Sequence, residues 1–178
     1  ASALGGPVDG VLAETVVLSE AGVVPLPAHL SFEEGATLPC AGVTAWNCLV
    51  EQGRLKAGDT AVFLGTGGVS SFGVQIAKMM GARVIITSSS DAKLQRARQL
   101  GADELINYRE IPDWERRVTE LTGGAGVDVT IETGGAGTLE KTIDATRVGG
   151  TICLIGVLTG GTIDPTALMR KSIRLQGG

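Results

Sequence analysis

Residues Val62–Lys78 read VFLGTGGVSSFGVQIAK. The apolar run Ala61–Leu64 enters a turn rich in glycine. A largely apolar stripe then leaves it, with Val69, Phe72, Gln75, Ile76 and Met79 at spacings of three and four. The order is strand, tight turn, helix. Gly65 permits a sharp turn and Gly67 lets an anion approach the backbone. The helix start offers unpaired N–H groups and a partial positive charge. The G-x-G-x-x-G pattern is incomplete, because Ser70 stands where the last glycine would let helix and strand pack closely. Serine is small enough to be tolerated there. By itself the turn is a weak signal, since a tight connection with no ligand looks the same.

The surrounding pattern strengthens it. Apolar runs of strand length recur at Ala61–Leu64, Arg83–Thr87, Glu104–Ile106, Val127–Glu132, Thr151–Ile155 and Ser172–Leu175. Most are rich in β-branched residues and several are apolar almost throughout, as suits strands covered on both faces. Helical stretches lie between them: Val69–Met80, Asp91–Leu100, Trp114–Leu121 and Leu139–Arg147. Asp91 is suited to N-capping, and Gly101, Gly123-Gly124 and Gly149-Gly150 end the later three helices. Strand and helix alternating through short connections predict right-handed crossovers and an α/β fold with a doubly wound parallel sheet.

The first part of the chain differs. Asp9–Leu18 alternates as a strand would, and AGVVPLP is extended and punctuated by proline. Ser31 and Glu34 form a capping-box pattern that opens a helical connector, Phe32–Gly53. Residues 1–30 therefore read as the end of a separate β-rich domain, and residues 31–178 as the sheet domain.

Composition narrows the function classes. The chain has 178 residues, 43% of them hydrophobic and 19% charged, which fits one sizeable core. Its 27 glycines, roughly twice the usual share, fall at the ends of apolar runs rather than in a linker. A net charge of −4 without a basic block argues against nucleic acid as a partner. No apolar run reaches the ~18 residues of a membrane span. Cys40, Cys48 and Cys153 are an odd number without C-x-x-C spacing, so the expectation is buried reduced thiols in a cytoplasmic protein.

The end of the second strand bears on the ligand. An NAD site usually has an acid about 20 residues beyond the first glycine, bonding the ribose 2′-hydroxyl. Ser88, Ser89 and Ser90 stand there instead, with Lys93 one turn into the next helix. A carboxylate would repel a 2′-phosphate, whereas hydroxyls and a lysine accept one, so the residues favour NADP over NAD. The same serines with Asp91 also suit a plain turn and helix cap. A SAM-dependent methyltransferase shares the glycine loop, but it too usually carries an acid after the second strand.

The chain resembles the medium-chain dehydrogenase/reductases, the superfamily of zinc-type alcohol dehydrogenases and quinone oxidoreductases. The similarity runs through DGVLAETVVL, SFEEGATLPCAGVTAWNCL, LKAGDTAVFLGTGGVSSFGVQIAK, GARVIITSSSDAKLQRARQLGADELINY, GVDVTIETGG and RVGGTICLIGVLTG. It implies a Rossmann domain with strand order 3-2-1-4-5-6, preceded by the remnant of a GroES-like catalytic domain. A complete enzyme of this kind is expected to continue past Gly178.

The resemblance also implies roles. The turn Gly65, Thr66, Gly67, Gly68, Val69 and Ser70 would hold the pyrophosphate of a nicotinamide dinucleotide. Ser88 takes the place of the aspartate of NAD-specific relatives, beside Ser89. Lys93 and Tyr108 match the residues that bind the 2′-phosphate in NADPH-using quinone reductases. Thr44 and the loops carrying Thr133, Gly134, Gly156 and Val157 would lie near the nicotinamide. A small-molecule substrate would be reduced or oxidised, and pairing through Ser172–Leu175 would join two copies in a homodimer. Cys40 matches a catalytic zinc ligand of the zinc enzymes, but the wording LPCAGVTAW is closer to the zinc-independent reductases, so a buried structural thiol is expected and zinc is not. His29 lies in the connector and reads as a surface residue. No residue is assigned as the general acid. Zinc-dependent alcohol dehydrogenase chemistry and a non-catalytic NADPH-binding module remain the alternatives.

Overall fold

The computed structural model describes residues 4–178. The chain divides into two compact units, one running through Gly35 and one of Ala36–Gly178.

The first unit contains no strand among its described residues, only an isolated bridge between Leu4 and Val8. Asp9–Leu18, expected as a strand, is irregular: among the described residues of this unit no ladder partner completes its backbone bonds. Leu12, Val17, Val24 and Phe32 are almost wholly exposed. At the start of α1 (Phe32–Ala36) the capping box forms: the Ser31 amide donates to the Glu34 carboxylate at 2.9 Å, and the Glu34 amide to the Ser31 hydroxyl at 3.2 Å.

The second unit begins with a helical stretch in which α2 (Val43–Trp46) is flanked by π-helical turns, Leu38–Gly42 and Asn47–Gln52. The chain then alternates β1 (Thr60–Leu64), α3 (Gly68–Met79), β2 (Arg83–Ser88), α4 (Asp91–Gln99), β3 (Glu104–Asn107), α5 (Trp114–Leu121), β4 (Val127–Glu132), α6 (Ala136–Ala145), β5 (Thr146–Leu154), α7 (Pro165–Arg170) and β6 (Arg174–Gly177). The six strands form one parallel sheet in the order β3-β2-β1-β4-β5-β6. This is the doubly wound arrangement expected from the alternation.

Successive side chains of β1 enter different cores, as strand geometry requires. Phe63 packs with Val74, Val84, Ile86 and Ile131 on one face, joined by Cys48 and Leu49 of the connector. Val62 and Leu64 pack with Ile85, Ile106, Trp114 and Val118 on the other. Burial on both faces explains why the central strands are apolar without alternation.

Several boundaries differ from the expectations. The fourth helix starts at Ala136 rather than Leu139, and Arg147 belongs to β5, which begins at Thr146 and shifts register against β4 between Val127 and Val129. α7 was not foreseen, although DPTALMR carries its signal: Asp164 caps the Thr166 amide at 2.9 Å and Pro165 opens the helix. Asp91 is not the N-cap. Ser90 holds that place, and the Asp91 carboxylate accepts from the Asn107 side-chain amide at 2.8 Å. The edge strand is Arg174–Gly177 rather than Ser172–Leu175, because Ser172 takes a left-handed backbone with φ of 50°.

Cysteine burial also needs one correction. Cys48 and Cys153 are buried, but Cys40 is exposed on the π-helical turn. The Cys153 thiol donates to the Cys48 carbonyl at 3.1 Å. The neighbouring Cys48 thiol and burial together push its acidity well down.

Candidate functional site

The order of the sheet reverses between β1 and β4, and ligands of doubly wound sheets bind in the crevice outside the carboxyl ends of such strands. Two glycine-rich turns meet there.

The turn after β1 is open. Gly65 has φ of 77°, and no atom lies within 4 Å of where a Cβ would stand on it or on Gly67. Among the described residues, no protein group accepts from the amides of Gly67, Gly68 or Val69, and α3 has neither a side-chain cap nor an acid in its first turn. Neighbours fix the turn from behind. The Gly65 amide approaches the Thr87 hydroxyl at 3.4 Å, and the Thr66 and Ser88 hydroxyls lie 3.4 Å apart. Ser70 is buried and donates to the Leu64 carbonyl at 3.3 Å, so its hydroxyl is satisfied. The close contact between helix and strand occurs one turn later at Gly73, where a Cβ would lie 2.3 Å from the Phe63 ring. The glycine missing at Ser70 therefore does not prevent close packing.

The turn after β4 is closed by the protein itself. The Glu132 side chain, fully buried, accepts from the amides of Gly134 at 2.6 Å and Gly135 at 3.0 Å. The Thr159 carbonyl and hydroxyl accept from the amides of Ala136 at 3.2 Å and Gly137 at 2.7 Å. Thr133 donates to the Leu64 carbonyl at 2.6 Å, tying the loop after β4 to the end of β1.

Between the turns lies a cleft of about 460 Å³, lined by Gly65, Thr87, Tyr108, Trp114, Thr133 and Gly134 together with Thr138, Lys141 and Leu158. Its size and mixed lining suit part of a nucleotide-sized molecule. A second cavity of about 400 Å³ lies between α6 and α7, lined by Ile143, Ile163 and Lys171, and includes none of the open amides.

The anticipated residues distribute unequally. Gly65, Tyr108, Thr133 and Gly134 line the cleft together. Lys93 and Thr66 line a separate groove of about 250 Å³ between α3 and α4, shared with Ser71 and Arg96. Tyr108 and Lys93 thus do not share a cavity. Ser88 stands at the end of β2, only 4% exposed, and Ser89 is half-buried after it. Gly156 packs flat on the Thr133–Gly134 peptide, while Val157 is almost wholly exposed. Thr44, half-buried on α2, lines neither cavity.

Sequence reasoning missed Glu132, Thr138, Lys141 and Thr159. Glu132 had a signal, an acid ending an apolar strand directly before glycines. The Lys141 ammonium, 3.2 Å from the Glu115 carboxylate, also donates to the Pro112 carbonyl and braces one wall. That link between distant segments had no local signal.

Cys40 faces a shallow cavity with Ala41, Gly68 and Phe72, and among the described residues no three His, Cys, Asp or Glu side chains come together to hold a metal ion. One thiolate does not make a zinc site. No helix among the described residues is long and apolar enough to cross a membrane.

Comparison with known proteins agrees with this geometry. The profile of the family described as zinc-binding dehydrogenase matches residues 68–178. A zinc-type alcohol dehydrogenase-like protein of Schizosaccharomyces pombe is 46% identical over 164 residues, covering 90% of this chain and 47% of its own length. Among solved structures, an NAD-dependent alcohol dehydrogenase superposes with a TM-score of 0.90 at 41% identity, covering 99% of this chain and 52% of its own. A mycobacterial protein solved with NADPH superposes with a TM-score of 0.79 at 33% identity, over 86% of this chain and 48% of its own. The chain spans about half the length of the relatives it matches. From the open glycine turn at the sheet's switch point to these similarities, the chain belongs to the zinc-binding dehydrogenase family within the medium-chain dehydrogenase/reductases, and it corresponds to their cofactor-binding part.

Proposed function

We propose that the chain is the dinucleotide-binding part of an NADP(H)-dependent oxidoreductase that acts without zinc on a small quinone, enone, or carbonyl or alcohol substrate. The observation that carries this reading is the open amide turn beside the cleft, combined with a serine rather than an acid at the end of β2. The amides of Gly67, Gly68 and Val69 would hold the pyrophosphate, and Thr66 and Ser88 would face the adenosine ribose. Ser89, Lys93 and Tyr108 would receive the 2′-phosphate from different sides. Thr133, Gly134, Gly156 and Val157, with Thr44, would border the nicotinamide. The cofactor supplies the hydride chemistry, and this part of the protein supplies binding and orientation.

Further parts of the reading extend beyond the site. The exposed Leu12, Val17 and Val24 fit residues 1–30 as the end of a GroES-like domain, whose remaining surface would cover them. The open edge of β6 fits pairing with a second copy. Free, buried Cys48 and Cys153 fit a reducing compartment such as the cytoplasm.

The experiment is calorimetric titration of the chain with NADPH, NADH and SAM. Tighter binding of NADPH supports the reading, and tighter binding of NADH overturns the role given to Ser88 and Lys93. The NAD-dependent relative makes that contrast informative. Zinc chemistry is the second reading, favoured by the exposed Cys40. Stoichiometric zinc required for activity in the longer protein would establish it.

A further inference from the structure

Glu132 ends β4 with no part of its side chain exposed. A carboxylate in such a place is costly unless donors surround it. Four do. Oε1 accepts from the Gly134 amide at 2.6 Å, the Gly135 amide at 3.0 Å and the Thr138 hydroxyl at 2.7 Å, and Oε2 accepts from the Thr142 hydroxyl. The main chain of the same residue reaches the next loop. Its carbonyl accepts from the amides of Ile155 at 2.9 Å and Gly156 at 3.0 Å. One residue thus sets the position of both loops on the β4–β5 side of the crevice.

We propose that Glu132 is a positioning residue for dinucleotide binding, an inference that rests on the reading of the site given above. Its side chain is fully buried, so it would act through the loops it holds and not by contact with the dinucleotide. Its carboxylate draws Gly134 and Gly135 down onto the end of β4, which fixes the wall of the cleft formed by Thr133 and Gly134. Its carbonyl holds Gly156 against the same peptide. The geometry asks for an acceptor at Oε1 more than for a charge. A glutamine could present its amide oxygen to the same three donors, and the Thr142 hydroxyl could turn to accept from its nitrogen.

The test is calorimetric titration of NADPH and NADH into the chain and its variants, which yields affinity and stoichiometry separately. Glu132→Ala is expected to raise Kd by roughly tenfold or more, the scale of a displaced positioning contact, with stoichiometry near one per folded chain. Glu132→Gln is expected to stay within about threefold of wild type, since the principal acceptor is kept. A role limited to stability would lower stoichiometry with the folded fraction and leave Kd unchanged, and that result overturns the proposal. If the alanine variant does not fold, Glu132→Asp carries the test, because it retracts the carboxylate by one methylene. An unchanged Kd there is equally fatal. Weakening by glutamine as large as that by alanine or aspartate would overturn the acceptor-based account. Absence of binding by the wild-type chain would overturn the dinucleotide reading and this inference together, whereas wild-type binding with unaffected variants overturns the inference alone.

Discussion

The turns after β1 and β4 are both rich in glycine, yet their glycines serve different neighbours. At Gly67 the space a Cβ would take is empty. At Gly156, which closes over the second turn, a Cβ would stand 2.1 Å from the carbonyl carbon and oxygen of Thr133. One glycine leaves room for something outside the chain, and the other is required by the chain's own packing. A count of glycines in the sequence cannot separate the two cases.

The contrast is easiest to break at its crowded end. Gly156→Ala forces a methyl group into a peptide that cannot move without dragging the loop after β4. It is expected to destabilise by about 3 kcal/mol, the upper range for overpacking, and to abolish dinucleotide binding. Thermal unfolding and titration check both. Normal stability in that variant would mean that the two loops are not fixed against each other.

Gly67→Ala sharpens the other side. Its backbone, with φ of −79° and ψ of −174°, is open to any residue. Stability is therefore expected to change by less than about 0.5 kcal/mol, as for an unencumbered surface site. Dinucleotide affinity should fall about tenfold, because the methyl group stands where the anion would approach. Unaltered affinity would remove the turn from the binding site.

The smallest effect concerns the far end of α3. Burial pushes the Asp103 carboxyl up, but the Lys78 ammonium at 2.9 Å, the Val84 amide at 2.7 Å and the Arg83 charge outweigh it, and the net shift is downward. The unfolded chain therefore takes up this proton first as pH falls. The stabilisation is complete above the ordinary carboxylate range of about 4 and is lost as pH drops through the lower folded value. Asp103→Asn should flatten that part of the melting-temperature profile while leaving affinity at neutral pH within about twofold, since the pair is partly exposed and of modest strength. A large change in affinity would mean that the open turn depends on the anchoring of its helix.

Much of the fold was legible because it rests on local patterns. The strand runs and the glycines between them mark β1 to β5 to within a few residues, apart from the early start of β5. The strand order was not local and came through the resemblance. The expected strand at Asp9–Leu18 failed because alternation describes a face, whereas a strand also needs a partner. The placing of Gly65 and Thr133 at the cleft was legible from their positions after β1 and β4. The role of Glu132 depends on Thr138 and Thr142 one helix away, and the brace from Lys141 to Pro112 spans α5. Those contacts exist only once the sheet has formed.

Helix α6 carries one more consequence. Glu132 supplies a carboxylate beneath its first residues, and Lys171 donates to the carbonyls of Ile143, Asp144 and Thr146 at its last. Each pole of its macrodipole is met by a side chain of opposite charge from outside the helix. α3 has Lys78 in its last turn and, among the described residues, neither an acid in its first turn nor a side-chain cap. Of two βα turns with similar lettering, one is electrically sealed and the other presents an unmatched positive pole, which gives an incoming anion a reason to choose between them.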